Sequence, residues 1–169
     1  MVRRRGIRAH RASVDVWLDV ARATMRARYC LCITDAPGGP RARAVQPFRP
    51  DADLVVHFGT SPHSRKAAEI RRSGRVGLSY LRERDGACVT VRCAAEMLED
   101  AAARRRWFMP FWRAFWSAGP DDPAFVVVRC VPFEIELWDA RRRVTPPPFG
   151  LAQARLVRDP GGEWRIAAA

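Results

Sequence analysis

The chain has 169 residues, 48% of them hydrophobic, which is enough to bury one core and too few for two, so a single domain is expected. Its formal net charge is +12, yet its only lysine is Lys66, and the arginines run from Arg3 to Arg165 without gathering into a block. Charge spread this evenly argues against a dedicated nucleic-acid surface, and so strong an arginine bias also reads as genomic base composition. No run approaches the eighteen or so apolar residues of a membrane span.

The five cysteines, Cys30, Cys32, Cys88, Cys93 and Cys130, are odd in number, lie in apolar runs and lack CxxC spacing. They read as buried reduced thiols, hence a cytoplasmic protein. Residues 1–12 form a basic stretch with no apolar signal core behind it. It reads as a flexible arm, either solvated or touching a polyanion.

From Ser13, a candidate N-cap, Val16, Trp17, Val20, Ala21 and Met25 recur at helical spacing and predict a helix to around Arg28. "YCLCIT" reads as a buried strand, "DAPGG" as a turn and "PRARAVQP" as the returning strand of a hairpin. "DLVVHFGT" is a third strand leading into "SPHSRKAAEIRRSG", where Ser61 and Pro62 signal a helix start and Gly74 its end. "RVGLSYL" and "ACVTVRCAAEML" follow as two strands joined by "RERDG", the second long enough to bend or carry a bulge.

Trp107, Phe108, Phe111, Trp112, Phe115 and Trp116 then mark one face of a second helix, which Pro110 should kink or split. Such a stripe serves as core or subunit contact more often than as a cofactor wall. "AFVVVRCVPFEIELWDA" gives a strand pair or one long bent strand. "RRRVTPPPFGL" follows as a proline-stiffened arm, and "ARLVRDPGGEWRIA" closes the chain as a hairpin. Residues 13–140 thus form the domain proper, with 141–169 completing it. Six or so strands joined mostly by short turns favour a closed or partly closed antiparallel barrel with flanking helices over a doubly wound sheet.

The start of the "SRKAAEIRR" helix carries the sharpest chemical signal. Free backbone N–H groups and the positive end of the helix dipole meet the Ser64 hydroxyl, the Arg65 guanidinium and the Lys66 ammonium, a combination suited to phosphate. Arginine offers a planar fork and lysine a compact point charge, so a lone lysine among arginines suggests a slot the fork would not fit. Phosphate contacts alone bind weakly, so the ligand should also carry a flat apolar part, as a nucleotide or flavin does. The bland alternative is a capped helix with solvated charges.

The succession "PRARAVQP", "DLVVHFGTSPHSRKAAEIRRSGRVGLSY", "VTVRCAAEML", the aromatic helix and "GPDDPAFVVVRCVPFEIELWD" resembles the pyridoxamine 5′-phosphate oxidase-like family of FMN-binding split β-barrels, closest to its bacterial general stress protein subgroup, over about residues 14–139. The resemblance implies a mainly β fold, a six-stranded antiparallel split barrel with flanking helices, that forms a homodimer with FMN at the subunit interface. It implies that Arg41, Arg43, Ala44 and Val45 lie against the flavin and its phosphate. Thr60, Ser64, Arg65 and Lys66 would hold the phosphate and ring edge, and Trp138 would be contributed by the second subunit.

A family glutamine near the flavin corresponds to Cys88, and a glycine to Cys93. The arginine-x-histidine pair of true pyridoxamine-phosphate oxidases is missing: Arg143 comes one residue early and Thr145 stands where histidine is expected. The expectation is therefore a flavin-dependent oxidoreductase other than that oxidase. A non-catalytic flavin-binding or redox-sensing protein is the alternative, and the family also contains binders of deazaflavin or haem. His57 and His63 read as structural or surface residues, and no metal site is expected.

Overall fold

Ser13 opens helix α1 (Val14–Thr24): its hydroxyl accepts from the Val16 amide at 3.3 Å, and Trp17, Val20, Ala21 and Thr24 form the buried face that the spacing predicts. The computed structural model describes residues 13–145 and 151–167; the basic stretch 1–12 and the prolines of the 141–150 arm lie outside the described residues. Helix α1 stops a turn short of Arg28. The Thr24 hydroxyl bonds back to the Val20 carbonyl at 3.1 Å and the Ala27 amide takes the Thr24 carbonyl at 3.1 Å, a tighter final turn that ends the α-helical ladder.

Strands β1 (Cys30–Ala36) and β2 (Gly39–Val45) form the expected hairpin, turned by Gly38 and Gly39 at φ of 87° and 113°. The register sets Cys30 opposite Val45, Cys32 opposite Arg43 and Thr34 opposite Arg41. After β3 (Val56–Thr60) comes α2 (Arg65–Ser73), closed by Gly74 at φ 62°. Its N-cap is Ser64 rather than Ser61, so Arg65 and Lys66 occupy the first two helical positions.

Strands β4 (Arg75–Arg82) and β5 (Ala87–Leu98) pair along their length, and the anticipated bulge in β5 falls between Arg92 and Cys93, in its pairing with β6 (Val126–Asp139). The segment "AFVVVRCVPFEIELWDA" is thus one long strand. β6 pairs with β5 throughout, with β3 through its first residues and with β7 (Ala154–Arg158) through its later ones; β8 (Trp164–Ile166) completes the C-terminal hairpin.

Every pairing is antiparallel, and the order β2-β1-β4-β5-β6-β3 gives the six strands of the split barrel. No ladder among the described residues closes it. The segment after β2 meets β3 through a single bridge, Pro47 to Phe58, supported by the Phe48 amide on the His57 carbonyl at 2.8 Å. The main core lies inside this curved sheet beneath α1, and Cys30, Cys32, Cys93 and Cys130 are free, buried members of it. No helix among the described residues is long and apolar enough to cross a membrane.

The aromatic helix splits at Pro110 as expected, but its rings do not share one face. α3 (Ala101–Arg106) ends before the rings, and Pro110 starts a separate 3-10 turn over Pro110–Ala114. Three residues per turn cannot hold an i, i+4 stripe on one side. Trp107, Phe108, Trp112 and Trp116 turn inward and form a second cluster with Phe48 and Phe125, while Phe111 and Phe115 are 50% and 74% exposed.

His57 is part of this packing: its ring stacks on Trp107 at 3.9 Å and 10°. Burial pushes the imidazole pKa down to about 4, with nearby Arg129 acting the same way. The unfolded chain then holds one more proton than the folded one between about pH 6.5 and pH 4, so stability is full above that window and declines as pH falls through it. We expect wild type to lose roughly 2 kcal/mol more than His57→Phe between pH 7 and 4.5. Thermal unfolding across that range checks it; parallel profiles for the two proteins would refute it.

Candidate functional site

Ser64, at φ −71° and ψ 150°, leaves the extended backbone that follows β3 and starts α2, and its hydroxyl accepts from the Ala67 amide at 3.2 Å. The amides of Arg65 and Lys66 therefore have no acceptor within the helix. Thr60, the last residue of β3, sets its hydroxyl 3.3 Å from the Ser64 hydroxyl and accepts from Lys66 Nζ at 2.8 Å. Burial lowers the Lys66 pKa; Cys32 opposes this shift and the charge of Arg43 adds to it. Lys66 thus stands among Thr60, Cys32 and Arg43, its point charge directed to the Thr60 hydroxyl. Arg65, exposed beside it, has no ion pair or hydrogen bond among the described residues.

One turn further along α2, the carboxylate of Glu69 is 6% exposed. It accepts from the Thr34 hydroxyl at 2.5 Å, from the Arg43 guanidinium and, at 3.5 Å, from Arg41. Arg43 also donates to the Thr34 hydroxyl. The Thr34 hydrogen bond, ahead of the two arginines, holds the Glu69 carboxyl below its ordinary pKa against the opposing effect of burial. Arg41 and Arg43 thus share one carboxylate, while Arg65 and Lys66 meet none among the described residues, which leaves net positive charge at the start of α2. Burial pushes the Cys32 thiol up to about 11 despite Lys66 and Arg43, so it is neutral at pH 7.

The remaining candidates form a separate group. Val45 is buried opposite Cys30, but Ala44 alternates to the other face of the sheet, opposite Leu31. Cys88 pairs with Leu81 on one side and with Trp138 on the other, and the registers put Ala44, Leu31, Leu81, Cys88 and Trp138 on that same outer face. Within one chain, Arg41, Arg43, Thr60, Ser64 and Lys66 come together, while Ala44, Cys88 and Trp138 lie across the sheet from them. Cys93 is fully buried in the core.

Sequence reasoning missed Thr34 and Glu69. Two signals were available: Glu69 is the only carboxylate in a basic helix, and the "DAPGG" hairpin register places Thr34 beside the β2 arginines.

A depressed carboxyl pKa stabilises the fold above the unfolded value near 4.5, and that contribution disappears as pH falls through the folded value. Glu69→Gln should therefore melt at a lower temperature than wild type at pH 7, with the gap narrowing as pH falls from about 4.5 to about 3. Calorimetry across that range measures it; an equal gap at both ends would contradict the assignment.

Comparisons with known proteins agree with this architecture. A family model described as pyridoxamine 5′-phosphate oxidase like matches residues 19–158. Among solved structures, PhzG from Burkholderia lata in complex with tetrahydrophenazine-1-carboxylic acid superposes with a TM-score of 0.68 at 21% identity, covering 90% of this chain and 88% of that one. A pyridoxamine 5′-phosphate oxidase-related, FMN binding protein from Nostoc punctiforme gives 0.59 at 20% identity, over 94% of this chain and 96% of that one. The general stress FMN/FAD binding protein from Xanthomonas citri gives 0.63 at 17% identity, over 75% of this chain and 90% of that one. A search of curated protein sequences finds no significant match. The structural likenesses bear on the fold, and the family model spans most of the chain: this protein belongs to the pyridoxamine 5′-phosphate oxidase-like family.

Proposed function

We propose that this protein is an FMN-binding flavoprotein, and that it works as an oxidoreductase with the flavin held between two copies of the chain. The observation that carries the reading is the polarised pocket at the start of α2. Two helix amides lacking intrahelical acceptors, the hydroxyls of Thr60 and Ser64, and the charges of Arg65 and Lys66 stand above the Arg43–Glu69 pair. A phosphate monoester carries close to two negative charges at pH 7 and fits this excess of positive charge.

The fit extends to assembly. The outer sheet face holds Leu31 and Leu81 at 47% and 69% exposure alongside Ala44, Cys88 and Trp138, apolar surface that a second copy would cover. Bound FMN would supply reversible hydride chemistry. The protein's own part would be to grip the phosphate, orient the ring and exclude water.

Turnover of pyridoxamine phosphate itself is disfavoured. Arg141 and Arg142 are engaged by Asp85 at 3.2 Å and Asp139 at 2.7 Å, Arg143 sits in a turn at φ 58°, and Thr145 is buried. These same contacts support the second reading, a flavin protein that binds or senses without turnover. A deazaflavin with a phosphorylated tail would suit the same cradle, and its absorption band, like that of haem, distinguishes it from FMN.

Titration by flavin fluorescence tests binding. Each charge-assisted contact contributes about 1.5–3 kcal/mol, so the double variant Arg65→Ala, Lys66→Ala should bind FMN at least roughly 100-fold more weakly than wild type. Equal affinity of the two, or a wild type that takes up no FMN, would defeat the proposal. Saturable reoxidation of NADH or NADPH by the loaded protein separates an oxidoreductase from a sensor.

A further inference from the structure

A cleft of about 300 Å³ opens between the end of α1 and the segment that follows β2, and Arg26, Arg28, Arg49 and Gln46 line it. Most arginines with an ordered role in this protein meet a carboxylate, as Arg22 does Asp19 and Arg155 does Glu134. The three in the cleft meet none among the described residues. Arg28 has only the face of Tyr29, at 5.3 Å.

The surroundings do not neutralise them. The nearest acid in sequence, Asp51, has its Oδ1 occupied by the amides of Asp53 and Val55, each at 2.9 Å. Asp19 is held by Arg22. The C-terminal dipole of α1 faces this cleft but amounts to only about half a negative charge, against three guanidinium groups. Three guanidinium groups around one cleft with no carboxylate among the described residues raise its positive potential, which favours entry of an anion.

The rest of the lining defines what the anion is attached to. Phe48 and Met109, both half-buried, give the cleft its apolar floor, with Met25 packed beneath them. A planar guanidinium fork matches a carboxylate in two parallel hydrogen bonds, the Gln46 amide can take part, and the volume suits a small molecule rather than a polymer. From this combination we infer that the cleft binds a small organic carboxylate with a flat apolar body, carboxylate toward the arginines and body on the methionine and phenylalanine floor. None of these residues belongs to the α2 cradle, so the inference stands apart from the flavin reading.

Benzoate is the probe, titrated by calorimetry into the purified protein before and after saturation with FMN. The uncharged isostere benzamide and inorganic phosphate serve as competitors lacking, respectively, the charge and the apolar body. Arg26→Gln with Arg49→Gln, both exposed positions that the fold does not require, should weaken benzoate at least tenfold. Arg84→Gln, an exposed arginine elsewhere with no ion pair, should leave it within twofold. Benzamide and phosphate should each bind at least tenfold more weakly than benzoate. No saturable benzoate binding by about 10 mM, equal binding of benzamide or phosphate, or an unchanged double variant would each overturn the inference.

Discussion

The hydrogen bond from Thr34 to Glu69, with Arg43 donating to both, is the joint on which the candidate site depends. α2 is nine residues long, too short to hold its shape alone, and it draws its position from packing on β1 and β5. The carboxylate supplies what packing cannot, a fixed angle between the helix start and the β1–β2 hairpin. It also makes a dense positive cluster tolerable, because two β2 arginines and Lys66 would otherwise face one another across a partly dry pocket.

That arrangement suits holding a ligand better than performing acid–base chemistry. The cradle's one thiol, Cys32, is protonated at neutral pH, and its carboxylate is committed to three donors. His57, whose pKa burial lowers to about 4, is stacked on Trp107 in the aromatic cluster, apart from the cradle residues. In the proposed reading the site grips the ligand and leaves the redox chemistry to it.

Much of this was legible in the chain. Alternation in "YCLCIT" and "RVGLSYL", the "DAPGG" turn and the Gly74 stop are local signals, and each became the element it implied. The cradle's hydroxyl and cations lie within seven residues, so Thr60, Ser64, Arg65 and Lys66 could be read together. Glu69 was invisible for the opposite reason: its partners Thr34 and Arg43 lie 35 and 26 residues away, and a lone acid in a basic helix looks like an exposed i, i+4 partner. The aromatic run misled because one shared face was expected on both sides of the Pro110 break, whereas the chain tightens into a 3-10 turn there and turns Phe111 and Phe115 outward.

The central claim is that the start of α2 grips a phosphate. Comparing the affinities of the wild-type protein for FMN and for riboflavin, which lacks only that phosphate, isolates the grip from every contact to the ring. The account predicts FMN to bind at least roughly 100-fold more tightly, with the difference shrinking as salt is raised. Equal affinities, or a preference indifferent to salt, would contradict it.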